Sequence, residues 1–374
     1  MKFYQKQNVF DAALDRIRWL FDEFPNVVVN FSGGKDSTVV LNLSLLVAEE
    51  KGRLPLRVMF IDQEAEWQTV IDYIRVVMAD PRVNPAWLQV PIRLFNATST
   101  IDPWLFCWEE GKEDEWIRPK EPHSIKENVY GTDRFAEMFE ATFRYDYPNS
   151  PACHIAGVRT EESPARMMGL TSYATYKGAT WGSKEDVKQG HYTMYPIYDW
   201  SYTDVWKAIH DNGWPYCRLY DYMYQYGMSV QQMRVSNVHH ETAVKTLFFL
   251  QEIEGATWDK VTARISGINT AGHMQGDGFY IPSTLPYMFK SWKEYRDHLL
   301  DNLITDPEIR EKMRRQFVSN DAIYVDEIQD ELSKMQIACV LVNDYHGTKL
   351  STFRASHGKY SKTGNHPDKV GKAQ

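Results

Sequence analysis

A chain of 374 residues that is 43% hydrophobic and 25% charged, with a formal charge of −8, has an ordinary globular composition and the length for one large domain or two. That acidic balance argues against broad nonspecific DNA binding by the whole surface, and no apolar run reaches the roughly 18 residues of a membrane span. The N-terminus Met1-Lys2-Phe3-Tyr4-Gln5 lacks the apolar stretch of a secretory signal, so a cytoplasmic protein without membrane contact is expected.

Residues 8–24 place Val9, Phe10, Ala13, Ile17, Leu20, Phe21 and Phe24 at helical spacing, and Pro25 ends that amphipathic helix. Val27, Val28 and Val29 then read as a buried strand that stops at Ser32-Gly33-Gly34-Lys35-Asp36-Ser37, after which Val40, Leu41, Leu45 and Leu46 mark a second helix. Strand, glycine-rich loop and helix in that order suit an anion. Gly33 and Gly34 let successive N–H groups turn toward one phosphate, and the helix points its positive end at the same place. Lys35 adds a full positive charge and Ser32 and Ser37 add hydroxyls; Asp36 suits such a loop by holding Mg²⁺ or orienting the loop.

A Walker A loop would need glycine at Val29 and Ser or Thr at Asp36. The six residues instead resemble the PP-loop of the ATP pyrophosphatase superfamily, whose members typically cut ATP between the α and β phosphates.

Further along, Gly52 and Pro55 turn the chain into Leu56–Ile61, a second buried strand, followed by a helix from about Glu64 to Met78 and a third strand from Leu88 to Leu94. The alternation predicts a doubly wound, mainly parallel α/β sheet. In such sheets ligands bind beyond the carboxyl ends of strands, where Asp62 stands. It is read as a ribose, adenine or Mg²⁺ contact, with a helix N-cap as the alternative, and Glu64 and Glu66 as first-turn acids complementing the helix dipole. Residues 98–150 read as an insertion whose tryptophans pack or, alternatively, stack on a base, with Arg118, Lys120 and Lys126 as solvated charges or, alternatively, contacts to an anionic substrate.

Cys153, Ile155 and Ala156 read as another strand, broken by Gly157, with Arg159 at its carboxyl end and Arg166 on the helix that follows. Both guanidiniums suit an oxyanion, although Arg166 also stands four residues after Glu162 in the favourable order for a helical ion pair. A Gly- and Lys-containing loop, 177–190, precedes Tyr195-Pro196-Ile197-Tyr198-Asp199-Trp200, and Ser201 with Asp204 predicts a capping box opening a helix to about Asn212. Helical patterns from about Val238 to Ile253 and Pro286 to Gln336 predict an accessory domain over 236–344, behind a nucleotide-binding domain over 1–235. His239 and His240 are adjacent and cannot share a helical face; His273 stands in a Gly-rich stretch. From Tyr345 the chain carries Lys349, Arg354, Lys359, Lys362, Lys369 and Lys372 against Asp368, which predicts a flexible basic tail, either solvated or touching nucleic acid or a partner. Cys107, Cys153, Cys217 and Cys339 are scattered without a Cys-x-x-Cys pair, so reduced structural thiols are expected, and neither zinc nor an iron–sulfur cluster.

Three segments together, the loop, Gly157-x-Arg159-x-x-Glu162-Ser163-x-x-Arg166, and Pro196-x-x-Asp199-Trp200-Ser201-x-x-Asp204-Val205-Trp206 with Leu219-Tyr220, resemble the phosphoadenosine phosphosulfate (PAPS) reductase family over roughly residues 20–235. Within it the chain looks most similar to the IbrA-like co-regulator group, often paired with a ParB-like protein of the IbrB type. The resemblance implies an adenine nucleotide alpha hydrolase-like fold. It implies nucleotide contacts at Ser32, Gly33, Gly34, Lys35, Asp36, Ser37, Asp62, Arg159 and Arg166, with Lys35, Asp36 and Arg159 in the chemistry, ATP with Mg²⁺ on Asp36, and PAPS as the alternative ligand. Two departures stand out. No cysteine follows Leu219-Tyr220 before Cys339, where the family's reductases carry their nucleophile, and the second strand ends in Asp62-Gln63-Glu64 where Asp-Thr-Gly is usual. The expected function is therefore adenylyl transfer from ATP with release of pyrophosphate. Sulfonucleotide binding or reduction with an external electron source, and nucleotide sensing with a ParB-like partner, are the alternatives.

Overall fold

The computed structural model describes residues 6–99, 102–230, 233–235, 237–239, 247–268, 284–304, 306–341 and 344–362, which divide into two compact units, Met1–Leu94 with Phe106–Asn237 and Phe95–Leu105 with Val238–Gln374.

The first unit is α/β. Its strands β1 (Asn26–Asn30), β2 (Leu56–Ile61), β3 (Val83–Leu88), β6 (Ala152–Ile155), β7 (Gly182–Asp186) and β8 (His191–Met194) form a six-stranded sheet in the order β3-β2-β1-β6-β8-β7. β4 (Ile92–Phe95) and β5 (Trp104–Cys107) make a separate two-stranded ribbon. All pairings in the large sheet are parallel except β7 with β8. Val27, Val28 and Val29 are buried because β1 is central, with β2 on one side and β6 on the other. The chain adds β2 and β3 on one side of β1 and then returns to place β6 on the opposite side. The point where that direction reverses lies between β1 and β6, where a doubly wound sheet opens a crevice at its carboxyl edge.

Helix α1 (Val9–Glu23) turns Ala13, Ile17, Leu20 and Phe21 inward, and α2 (Lys35–Glu50) follows β1. The predicted third strand is displaced: the parallel strand is Val83–Leu88, containing Pro85, and Leu88–Leu94 spans its end and part of β4. A proline reads as a strand breaker, but β3 is the sheet edge, where a missing N–H is tolerated. The predicted 177–190 loop likewise contains β7, a polar edge strand. Helix α3 runs Gln68–Met78, so Glu64 and Glu66 precede it and are not first-turn acids. Helix α4 (Phe135–Asp146) leads into β6, and α5 (Pro164–Thr171) carries Arg166. The capping box forms as expected, Ser201 Oγ and the Asp204 carboxylate closing the start of α6 (Tyr202–Asp211). Arg16 of α1 donates to the Pro196 carbonyl at 2.8 Å and to both Asp199 oxygens at 2.7 Å, which gives that motif carboxylate a structural occupation.

In the second unit the expected long helices are shorter pieces: Leu247–Ile253, Gly255–Arg264, Trp292–Leu303, Pro307–Ile323 and Gln329–Leu341. Asp306 caps the helix that begins with Pro307 at its first position. Leu300, Met313, Phe317, Leu332 and Phe353 share one core. Arg296 is buried beside it, donating to Asp297, Asp321 and Gln336 at 2.6–3.0 Å. The expected tail is not a flexible segment throughout. Thr348–His357 is a helix whose Leu350 and Phe353 are buried, and Asp344 accepts the Thr348 and Lys349 N–H groups at 2.9 and 2.7 Å. Lys369, Lys372, His240 and His273 lie outside the described residues. Among the described residues no helix is long and apolar enough to cross a membrane, and no three His, Cys, Asp or Glu side chains gather as a metal site.

Candidate functional site

The loop after β1 turns at Gly33, whose φ of +74° is a left-handed conformation; a Cβ at this position would sit 2.9 Å from Val70 Cγ1. Ser37 Oγ donates to the Gly34 carbonyl at 2.9 Å and lies 3.2 Å from Ser32 Oγ, so the two hydroxyls brace the loop across its width. Helix α2 begins at Lys35 without a side-chain cap, leaving its first amides to partners from outside the helix. One such partner is Tyr220 of α7 (Leu219–Gln225), whose hydroxyl accepts the Lys35 N–H at 3.0 Å while its ring lies 5.5 Å from Lys35 Nζ. The buried Tyr220 phenol is held far above its ordinary value, first by desolvation and then by Asp36, so it stays neutral.

Lys35 Nζ lies 3.0 Å from Asp36 Oδ2, and Arg159 Nε lies 2.5 Å from Asp36 Oδ1. Arg159 Nη1 donates to Glu161 at 2.9 Å, and its Nη2 stands 3.8 Å from Glu162. Each Asp36 oxygen thus already faces a cation, an arrangement that does not fit the Mg²⁺ expected on it. Asp36 instead holds Lys35 and Arg159 at one point. Gly157 makes that approach feasible, because a Cβ there would fall 2.7 Å from the Asp36 carbonyl carbon and 2.8 Å from the Ser37 amide nitrogen. Gly157→Ala is accordingly expected to cost about 1–3 kcal/mol through overpacking, read as a lower urea midpoint; an unchanged midpoint would show that the loop backbone gives way freely.

A cavity of about 930 Å³ opens over this point. Ser32, Gly34, Lys35, Asp36, Ser37, Arg159 and Arg166 line it; Gly33 and Asp62 do not. Arg166 pairs with Glu162, as its helical reading expects, and also lines the cavity. Its pKa is lowered by desolvation and then by the charge of Arg234, a cavity residue that sequence reasoning missed. Four cations, Lys35, Arg159, Arg166 and Arg234, thus share the lining with the carboxylates of Asp36, Glu161, Glu162 and Glu185, of which the first three pair with Lys35, Arg159 and Arg166.

Asp62 is corrected. It is fully buried, Oδ1 accepting from the Glu64 N–H at 3.0 Å and from Arg118, Oδ2 accepting from Trp87 Nε1 at 2.8 Å and Gln89 Nε2 at 3.0 Å. Four donors saturate it, and no lone pair remains for a ribose or metal. Arg118 is likewise not a solvated charge: it is 6% exposed and also donates to the Glu64 carbonyl. Glu64, at φ +61°, uses its carboxylate to accept the Trp108 and Ile117 N–H groups at 2.8 and 3.3 Å. The chain end of β2 reaches the cavity through Gln63 and Glu66 instead. Gln63 Oε1 accepts from Asn237 at 2.5 Å. Burial, reinforced by Asp62 and opposed by Arg118, pushes the Glu66 carboxyl up to about 8. The four cysteines are all buried thiols and none lines the cavity. Desolvation holds Cys153 well above its ordinary value.

Residues 26–226 match the phosphoadenosine phosphosulfate reductase domain, and residues 227–359 match a domain of unknown function, DUF3440. Among similar proteins, the uncharacterized protein YbdN of Escherichia coli (strain K12) is 30% identical over 311 residues, covering 79% of this chain and 75% of its own. The adenosine 5'-phosphosulfate reductase of Lysinibacillus sphaericus (strain C3-41) is 21% identical over 256 residues, covering 68% of this chain and 89% of its own. Among solved structures, Candida glabrata FMN adenylyltransferase with FAD and inorganic pyrophosphate aligns at a TM-score of 0.36 and 16% identity, over 59% of this chain and 64% of that one, less than two thirds of its length.

Proposed function

The chain belongs to the phosphoadenosine phosphosulfate reductase domain family, and from that premise we propose that its cavity binds ATP and transfers the adenylyl group to an acceptor, releasing pyrophosphate. The observation that carries this reading is the cavity's lining: a glycine loop at a helix N-terminus with Lys35, Arg159, Arg166 and Arg234 around it, and no cysteine. Reduction of a sulfonucleotide by the protein's own thiol would need a thiolate at the bound sulfate. Phosphorus chemistry needs no side-chain nucleophile. The acceptor's oxygen or nitrogen bonds to the α-phosphorus, the bond from that phosphorus to the bridging oxygen breaks, pyrophosphate leaves with the electron pair, and the acceptor's proton passes to solvent. Water as acceptor gives AMP.

In this scheme Lys35 and the first-turn amides of α2 neutralise the leaving pyrophosphate, while Asp36 fixes the lysine and Arg159 in one place. Arg166 and Arg234 supply the remaining positive charge.

The match to an adenosine 5'-phosphosulfate reductase favours a second reading, in which a sulfonucleotide occupies the same cavity and an external reductant supplies electrons. Incubating the purified protein with ATP, and separately with PAPS plus dithiothreitol, separates the two. Pyrophosphate with AMP from ATP is the expected result. Sulfite from PAPS, with no pyrophosphate from ATP, would replace the first reading by the second.

A further inference from the structure

Glu66 is 4% exposed, lines the cavity, and receives no side-chain hydrogen bond from the described residues. Its neighbours differ in this respect, since the Asp62 carboxylate accepts four donors and the Glu64 carboxylate accepts the Trp108 and Ile117 N–H groups. A carboxyl on a cavity wall without a protein partner is open to water or to the hydrogen-bonding groups of a ligand. Its position is also informative. Glu66 follows β2 and Arg159 follows β6, strands on opposite sides of the loop-bearing β1. The residues that line the cavity near it, Met59, Phe60 and Ile61 from β2 and Phe31 after β1, are apolar and suit the faces of a flat ring.

We propose that the Glu66 side chain pairs with the hydrogen-bonding edge of adenine, making it a base-reading residue of the cavity. A protonated carboxyl offers one O–H donor and one carbonyl acceptor side by side. Adenine presents the complement, an N6 amino donor beside a ring-nitrogen acceptor. An ionised carboxylate has two acceptors and would oppose the ring nitrogen's lone pair. The charged groups set against Glu66 are Asp62, which favours its neutral form, and Arg118, which opposes it; with desolvation the balance holds it protonated up to about pH 8. Among the described residues no histidine or cysteine lines the cavity, and the Tyr195 and Tyr220 phenols there are pushed upward by burial, so no other of these groups changes charge just above neutrality.

This assignment rests on the reading of the cavity as an adenine-nucleotide site, and the experiment separates the two. ATP affinity of the full chain, measured by calorimetry from pH 7 to pH 9, is expected to fall about tenfold as Glu66 ionises. Glu66→Gln keeps one donor and one acceptor and is expected to bind with little pH dependence. Should that variant fold poorly, the wild type alone decides: at pH 8.5, titrations in two buffers of different ionisation enthalpy should reveal uptake of most of one proton per ATP. Binding without proton uptake, or an equal pH response in wild type and variant, overturns the Glu66 assignment while leaving the ATP site standing. No ATP binding at any pH overturns both.

Discussion

Lys35→Ala is expected to weaken ATP binding by about 10–100-fold, the loss of one charge-assisted hydrogen bond to phosphate, while the protein stays folded. The lysine is expendable for folding because its partner is not left bare. Asp36 keeps Arg159 at 2.5 Å, and the loop remains braced by Ser37 Oγ on the Gly34 carbonyl and by the Lys35 backbone N–H on Tyr220, none of which uses the lysine side chain. Arg159→Ala is a different substitution. It removes a group that faces Asp36, Glu161 and Glu162 together, leaving Asp36 to Lys35 and Glu162 to Arg166, so it should lower the midpoint as well as the affinity. Comparing calorimetric affinity with the urea midpoint distinguishes the two residues: the lysine variant should lose affinity at an unchanged midpoint. Equal ATP affinity in wild type and folded Lys35→Ala would remove the loop as the phosphate site.

What is legible in the sequence divides from what is not along a physical line. The loop is local chemistry: two glycines, two serines and a lysine in a row between an apolar strand and an apolar helix, and Lys35, Asp36 and Ser37 line the cavity. Arg159 and Arg166 are legible because they follow a strand's carboxyl end. Arg234 is not, because nothing near it in sequence marks a cavity, and Gln63 is hidden by its neighbour, since the strand end is marked but the acid Asp62 is the more obvious ligand there. Asp62 itself misleads. An acid at a strand end is a fair nucleotide ligand until Trp87, Gln89 and Arg118 are brought to it from 25, 27 and 56 residues away. The Thr348–His357 helix is hidden by composition, since Leu350 and Phe353 are few anchors in a basic stretch.

That distant assembly makes Arg118 the residue whose loss should hurt stability most. Arg118→Met is expected to cost about 3–5 kcal/mol, because the substitution strands a fully buried Asp62 charge. Trp87, Gln89 and the Glu64 N–H would still donate to Asp62, but neutral dipoles do not replace a guanidinium in a site closed to water. The loss would also remove the donor to the Glu64 carbonyl, where the backbone is already left-handed, and the cation over the Trp108 ring at 5.2 Å. A pair of substitutions separates charge from packing. Asp62→Asn with Arg118→Met removes both charges at similar volume and should recover most of the midpoint, since a missing ion pair costs far less than half of one. If the double variant were as unstable as Arg118→Met, the cost would lie in the Glu64 and Trp108 contacts rather than in the buried charge. Recovery of the midpoint would mean that Asp62, at the strand end where a ligand would be sought, serves to anchor the 106–120 segment over β2 and so to hold Gln63 and Glu66 at the cavity.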